Sequence, residues 1–398
     1  MVSTSAPAAT LSAAKLRSVR LSQTAGYLVA FIALGMSSAS LGPTLPGLAL
    51  QTGSRLSEIS FLFSARALGY LLGSIVSGRL YDRLPGMRLM AGVLAIIAVA
   101  LFFIPAIPLL AVLAVAMLLL GTGEGAADVG GNTLIVWTHG ERVGPFMNAL
   151  HFCFGLGAFV APIIVAQAIL RTGGITWAYR LLALLILPAL VWQLRTPSPH
   201  APAAPAVGGL KAARPWAVFL VATLLFFYTA GELSYGGWVY TYALRLGIGN
   251  AQTAAYLTSA FWGSLMLGRL VSIPIAARFS SSAILRADLL GSLVGLAIVL
   301  AGRSSPTVLW VGTLVFGFAM ASVFPTVISL ASTMMNTTGR VTAWFLVGAS
   351  LGIMVWPWLI GQLFEPAGPQ AVMWLIGLSV IMSLAVYTLL MREARRAS

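Results

Sequence analysis

Twelve apolar runs, each about as long as a bilayer is thick, leave this chain few ways to fold. A span needs about 20 apolar residues to cross roughly 30 Å of hydrocarbon. Such runs cover Gln23 to Leu50, Ser57 to Leu80, Met87 to Pro105, Pro108 to Trp137, Pro145 to Ile169 and Ile175 to Leu194, then Pro215 to Tyr242, Thr253 to Ala277, Ser282 to Leu300, Pro306 to Ser329, Val341 to Phe364 and Gln370 to Leu390. With 59% hydrophobic and 8% charged residues and a mean hydropathy of +0.95, the 398-residue chain reads as a polytopic membrane protein. A β-barrel is excluded, since its strands would alternate in short segments. The expected fold is an all-α membrane protein of twelve transmembrane helices in two six-helix halves around a central cavity.

The formal charge of +14 is topological. With both termini cytoplasmic, sixteen of the 23 Lys and Arg fall on the cytoplasmic side, from Lys15, Arg17 and Arg20 to Arg392, Arg395 and Arg396. Only Arg66 and Arg269 lie within spans, and this bias sets orientation without implying nucleic acid. Residues 1–22 read as a cytoplasmic tail with no cleavable signal, 391–398 as a second tail, and the localisation expected is the cell membrane, a bacterial inner membrane. The single Cys153 allows no intrachain disulfide, no metal-ligand spacing occurs, and a monomer is expected.

Residues 195–214, rich in Pro and Ala, form the expected linker between a six-helix bundle at 23–194 and another at 215–390. The halves echo each other at one offset. Ser64, Ala65 and Gly73 recur 195 positions later as Ser259, Ala260 and Gly268, and Gly157 and Pro162 recur as Gly352 and Pro357. Parallel repeats of this kind place a binding site at the midplane between the halves.

Intramembrane ionisable residues are functional-site candidates by default. In the fourth span Glu124, Asp128 and Asn132 recur every four residues and so share a helix face. Glu124 is the first choice for an ion-coupling group, because low dielectric penalises the charged form of a carboxylate and so promotes proton exchange. Asp128 either shares that task or is paired with Arg66 or Arg269. Glu232 is a third acid, and Gly231, Gly236 and Gly237 around it predict a weakened helix whose freed carbonyls, with the carboxylate, suit sodium. His151 is expected at the depth of Asn132 on the neighbouring helix, within reach of it. Asn132, Asn148, His151, Tyr235, Trp238, Trp262, Trp344 and Trp356 are the substrate-binding candidates, rings for the apolar faces of a pyranoside and amides for its hydroxyls. Asp288, near Arg286, reads as interfacial. No nucleophile with an adjacent base and no phosphate-binding loop appears, so neither an enzyme nor a catalytic cofactor is expected.

The turn Gly78-Arg79-Leu80-Tyr81-Asp82-Arg83-Leu84-Pro85-Gly86-Met87-Arg88 resembles the Gly-x-x-x-Asp-Arg-x-Gly-Arg signature of the major facilitator superfamily, with Arg88 one place late. The resemblance implies that Gly78, Asp82, Arg83, Gly86 and Arg88 gate the cytoplasmic side. The second half has Ala277 in place of Asp82, so any such latch is asymmetric. More narrowly, Glu124-Gly125-Ala126-Ala127-Asp128 is similar to the Glu-x-Ala-Ala-Asn of fucose:proton symporters. Met147-Asn148-Ala149-Leu150-His151-Phe152 is similar to those and to the animal sodium-dependent glucose transporter-like branch, which the segments Gly231 to Tyr242 and Phe324-Pro325-Thr326 also resemble. This implies symport of a small polar solute, a monosaccharide, with a proton favoured over sodium, the solute and the lipid bilayer being the only partners. The alternatives are a proton-driven exporter of amphipathic compounds, in which substrate and proton compete, and a membrane receptor that does not transport.

Overall fold

Twelve helices of the computed structural model, which describes residues 13–199, 215–302, 305–335 and 339–397, are long and apolar enough to cross a membrane. In chain order the helices are α1 (Ala13–Ser38), α2 (Leu41–Thr52), α3 (Leu56–Ile59), α4 (Phe61–Tyr81), α5 (Gly86–Phe103), α6 (Leu110–His139), α7 (Gly144–Thr172) and α8 (Thr176–Arg195) in the first half. The second half has α9 (Pro215–Arg245), α10 (Ala251–Ala276), α11 (Ser281–Ala301), α12 (Pro306–Met320), α13 (Val323–Met334), α14 (Gly339–Ala367) and α15 (Gln370–Ala397). Most of the expected linker lies outside the described residues.

Small residues fix which helices touch. A Cβ on Gly69 or Gly73 of α4 would meet the carbonyl oxygens of Leu118 or Thr122 of α6 at 2.0 Å, and one on Gly121 of α6 would meet that of Arg66 at 2.0 Å. Any side chain there forces the two backbones apart. The offset of 195 reappears in this packing. Gly73 abuts Thr122 and its counterpart Gly268 abuts Phe318, while Gly157 abuts Ile32 and its counterpart Gly352 abuts Phe226. In both cases the second partner lies within one residue of the first shifted by 195.

Two spans are broken where the sequence reading ran them straight. The first divides into α1 and α2 across Ala39–Ser40, and the tenth into α12 and α13 across Ala321–Ser322. Proline explains both places, because its ring clashes with the carbonyl four residues earlier. Pro43 meets Ala39 in this way and Pro325 meets Ala321. The break expected around Glu232 is not there, since α9 runs unbroken through 31 residues. Its glycines serve close packing instead: Gly236 makes room for Trp262, Gly237 for Phe63 and Gly231 for Ser379.

The halves meet at one end of the bundle. Among the described residues, the hydrogen bonds between them run from Ser64 Oγ to the Met354 carbonyl (2.6 Å), from Gln362 Nε2 to the Ser57 carbonyl (2.7 Å) and to Ser60 Oγ (3.4 Å), from Ser60 Oγ to the Trp358 carbonyl (3.4 Å), from Gln167 Nε2 to Tyr256 Oη (2.6 Å), and from the Leu56 amide to Glu365 (3.3 Å). They join α3 and the first turns of α4 and α10 to the second halves of α7 and α14. At the opposite end Asp82, Arg83 and Arg88 are exposed and form no ion pair among the described residues.

Candidate functional site: a charged cavity between the halves

A cavity of about 260 Å³ lies between the halves. Its first-half wall carries Arg66, Tyr70, Glu124, Asp128 and His151, and its second-half wall carries Glu232, Trp262 and Arg269.

Glu124 is not the free acid the sequence suggested. The glycine contacts of α4 with α6 bring Arg66 against it. Arg66 Nε donates to Glu124 Oε2 at 2.8 Å, and a second bond joins Arg66 Nη2 to Glu124 Oε1. Ser37 Oγ donates to Glu124 Oε1 at 2.5 Å, and Arg66 Nη2 also donates to the Ser37 carbonyl at 2.8 Å, just before the α1–α2 break. A fork-to-fork pair with its remaining oxygen capacity filled is the arrangement that makes a buried ion pair tolerable.

Asp128 is paired with neither arginine. Tyr70 Oη donates to its Oδ2 at 2.5 Å and Asn132 Nδ2 to its Oδ1 at 3.1 Å. It is thus the cavity acid without a cation among the described residues. Tyr70 escaped the sequence reading, although it lies one turn beyond Arg66 on the same face of α4.

The second-half pair is looser. Arg269 Nη2 stands 3.5 Å from Glu232 Oε1, and the arginine side chain is 26% exposed against 10% for Arg66. Arg269 Nε donates to the Ala321 carbonyl at 3.3 Å, the one displaced by Pro325 at the α12–α13 break. Asp288 is engaged at that break, accepting from Ser322 Oγ at 2.5 Å. The buried Tyr228 hydroxyl, lacking a hydrogen-bond partner of good geometry, stands beside Glu232 and Arg269.

The aromatic candidates separate. Trp262 lines the cavity and is 4% exposed, its Nε1 without a hydrogen-bond partner among the described residues. Three others are consumed in packing. Tyr235 bonds Thr313 at 2.7 Å, Trp238 Nε1 donates to the Pro357 carbonyl at 3.0 Å, and Trp356 Nε1 donates to the Leu375 carbonyl at 3.0 Å. Trp344, 57% exposed, lies six residues before the cavity-lining Ser350, about 120° around α14. His151 reaches the cavity, but its ring meets Phe31 edge-on instead of Asn132. Asn148 is exposed away from the cavity, and Asn132 acts only by holding Asp128.

Two six-span halves joined at one end around a small charged cavity define a polytopic membrane transporter of the alternating-access type. The chain belongs to the Major Facilitator Superfamily, whose family model matches residues 27–355. It is 31% identical over 84% of its length to the mouse protein "Sodium-dependent glucose transporter 1A", of which 88% is covered, and 30% identical to human "Sodium-dependent glucose transporter 1" over 84% of this chain and 72% of that one. Among solved structures, the D-xylose-proton symporter superposes with a TM-score of 0.75 at 14% identity, covering 92% of this chain and 97% of the other, which establishes the shared fold.

Proposed function

We propose that this transporter carries a small polar solute, a monosaccharide, by ion-coupled symport, and that Asp128 takes the coupling ion. The observation that carries this reading is the charge balance of the cavity. Three carboxylates face two guanidinium groups, each of which is matched to a glutamate, so Asp128 is the acid in excess. One cation on Asp128 makes the wall neutral, which lowers the cost of enclosing it with the solute in low dielectric.

In this mechanism Glu124 and Arg66 form fixed scaffolding. Asp128 exchanges its ion with whichever side the cavity faces, and loading by ion and solute together permits the halves to rock. By the charge-bias orientation, the end now joined is the outer one, so the cavity faces the cytoplasm and Asp82, Arg83 and Arg88 await their partners in the opposite state. Between the two ions a proton suits Asp128 better, because a proton needs a single carboxylate lone pair, whereas sodium needs several oxygen ligands and both oxygens of Asp128 already accept from Tyr70 and Asn132. Sodium is the second reading, favoured by the names of the mouse and human relatives. The bilayer expected is a bacterial inner membrane.

The test is uptake of a monosaccharide panel by proteoliposomes under an imposed pH gradient and, separately, a sodium gradient. Symport predicts accumulation of at least one sugar under one of the gradients. Absence of sugar uptake under both, with outward movement of a lipophilic cation under the pH gradient, would sink the proposal in favour of an exporter.

A further inference from the structure

The two cavity arginines differ in how much of each guanidinium is already used. Arginine carries five N–H donors in a planar fork. Arg66 spends three of its five donors, on Nε and Nη2, on Glu124 and the Ser37 carbonyl. Arg269 makes one hydrogen bond among the described residues, from Nε to the Ala321 carbonyl. Arg269 lines the cavity with Nη2 at ion-pair distance from Glu232, and among the described residues no hydrogen bond of good geometry uses its terminal nitrogens.

The neighbourhood is short of partners in a second, independent way. Tyr228, 1% exposed, holds its hydroxyl beside this pair with no well-formed bond. Buried polar groups are ordinarily satisfied, and each one left over is destabilising. One buried hydroxyl without a well-formed bond, beside a guanidinium with unspent donors, describes a place that something else completes.

We propose that Arg269 and Glu232 together form the substrate-reading element of the second-half wall, specific for two adjacent hydroxyl groups of a neutral polyhydroxy solute. The terminal nitrogens of Arg269 donate to the two neighbouring oxygens, and Glu232 accepts from one of the same hydroxyls. A carboxylate or phosphate would also fit the fork, but Glu232 beside it repels an anion, and a lone hydroxyl leaves half the fork unfilled. Because the Nε edge of the same rigid group holds the Ala321 carbonyl, the seated solute is tied to the α12–α13 break. The element rests on the symport reading above and adds to it the chemical feature of the solute that is recognised.

Arg269→Lys tests this, since lysine keeps the charge beside Glu232 and loses the fork. Uptake is measured in proteoliposomes for the transported sugar and for its monodeoxy analogues at each position. The wild-type protein is expected to discriminate by about tenfold or more against analogues lacking either of two adjacent hydroxyls, as sites that hydrogen-bond a hydroxyl do. Arg269→Lys is expected to raise KM for the parent sugar by about tenfold, to change kcat much less, and to treat those two analogues like the parent. A wild-type melting temperature for the variant separates lost recognition from lost folding. A variant with wild-type KM and undiminished discrimination overturns this element while leaving symport standing. A wild-type protein that takes up no sugar under either gradient removes the symport reading and this element with it.

Discussion

Each half of the molecule presents an arginine and a glutamate to the cavity, and the two pairs are built for different work. Arg66 and Glu124 come from helices that glycines draw into backbone contact, and they close on each other with two bonds, Ser37 filling the remaining capacity. Arg269 and Glu232 come from helices without such a seam and stand 3.5 Å apart, the arginine also holding a break carbonyl. The pairs are not copies made by the internal repeat. Shifted back by 195, Arg269 falls on Ser74, eight residues beyond Arg66, or about 12 Å along the helix. One wall is a finished ion pair and the other an unfinished one, which is the basis for proposing the first as frame and the second as reader.

The largest expected effect tests the frame. Arg66→Ala leaves Glu124 buried without its partner and is expected to cost about 3–5 kcal/mol of stability. A sharp fall in melting temperature and a loss of monodisperse protein would register it. Glu232→Gln should cost far less, within about 1 kcal/mol, because Arg269 keeps its Ala321 contact and some solvent. Equal thermal shifts for the two variants would erase the contrast between the walls.

Next in size is the coupling group. Asp128→Asn preserves shape and one acceptor for Tyr70, so the protein should melt as wild type. Accumulation against a gradient should fall more than tenfold, while exchange of substrate for substrate persists. Retained accumulation would return Glu124 to candidacy. Tyr70→Phe, removing one hydrogen bond to a charged group worth about 1.5–3 kcal/mol, should reduce gradient-driven uptake less than Asp128→Asn does. An equal or greater loss would mean that Tyr70 does more than hold the acid.

The smallest effect concerns the joined end. Gln362→Ala removes a bond to the Ser57 carbonyl, worth about 1 kcal/mol and so about fivefold in population. With Cys153 as the sole native cysteine, a cysteine placed near Ser57 in a Cys153→Ser background reports opening through a membrane-impermeant thiol reagent. Labelling should quicken severalfold in the Gln362→Ala variant. An unchanged rate would show that this bond does not help to hold the halves together.

Much of the architecture was legible because it follows from local rules. Length and hydropathy alone mark where helices cross, but the breaks at Pro43 and Pro325 were not legible, because Pro162, Pro188 and Pro357 lie inside helices that run on unbroken. The site was legible as a set of residue types. Glu124, Asp128, Glu232, Arg66, Arg269, His151 and Trp262 all reach the cavity, since an ionisable residue in a span has nowhere cheaper to go. The aromatics misled, because Tyr235, Trp238 and Trp356 satisfy their polar atoms against neighbouring helices as readily as against a ligand.

The sequence by itself determined that this chain has twelve spans, that its halves echo each other at one offset, and that charge is held inside both, because these are properties of single segments and of their spacing. Only the tertiary structure decided which acid each arginine takes and which acid is left over. That choice depends on how the helices are rotated and how closely they approach. On α4 and α6 the contacts of Gly69, Gly73 and Gly121 set the rotation that gives Arg66 to Glu124 and leaves Asp128 to Tyr70 and Asn132.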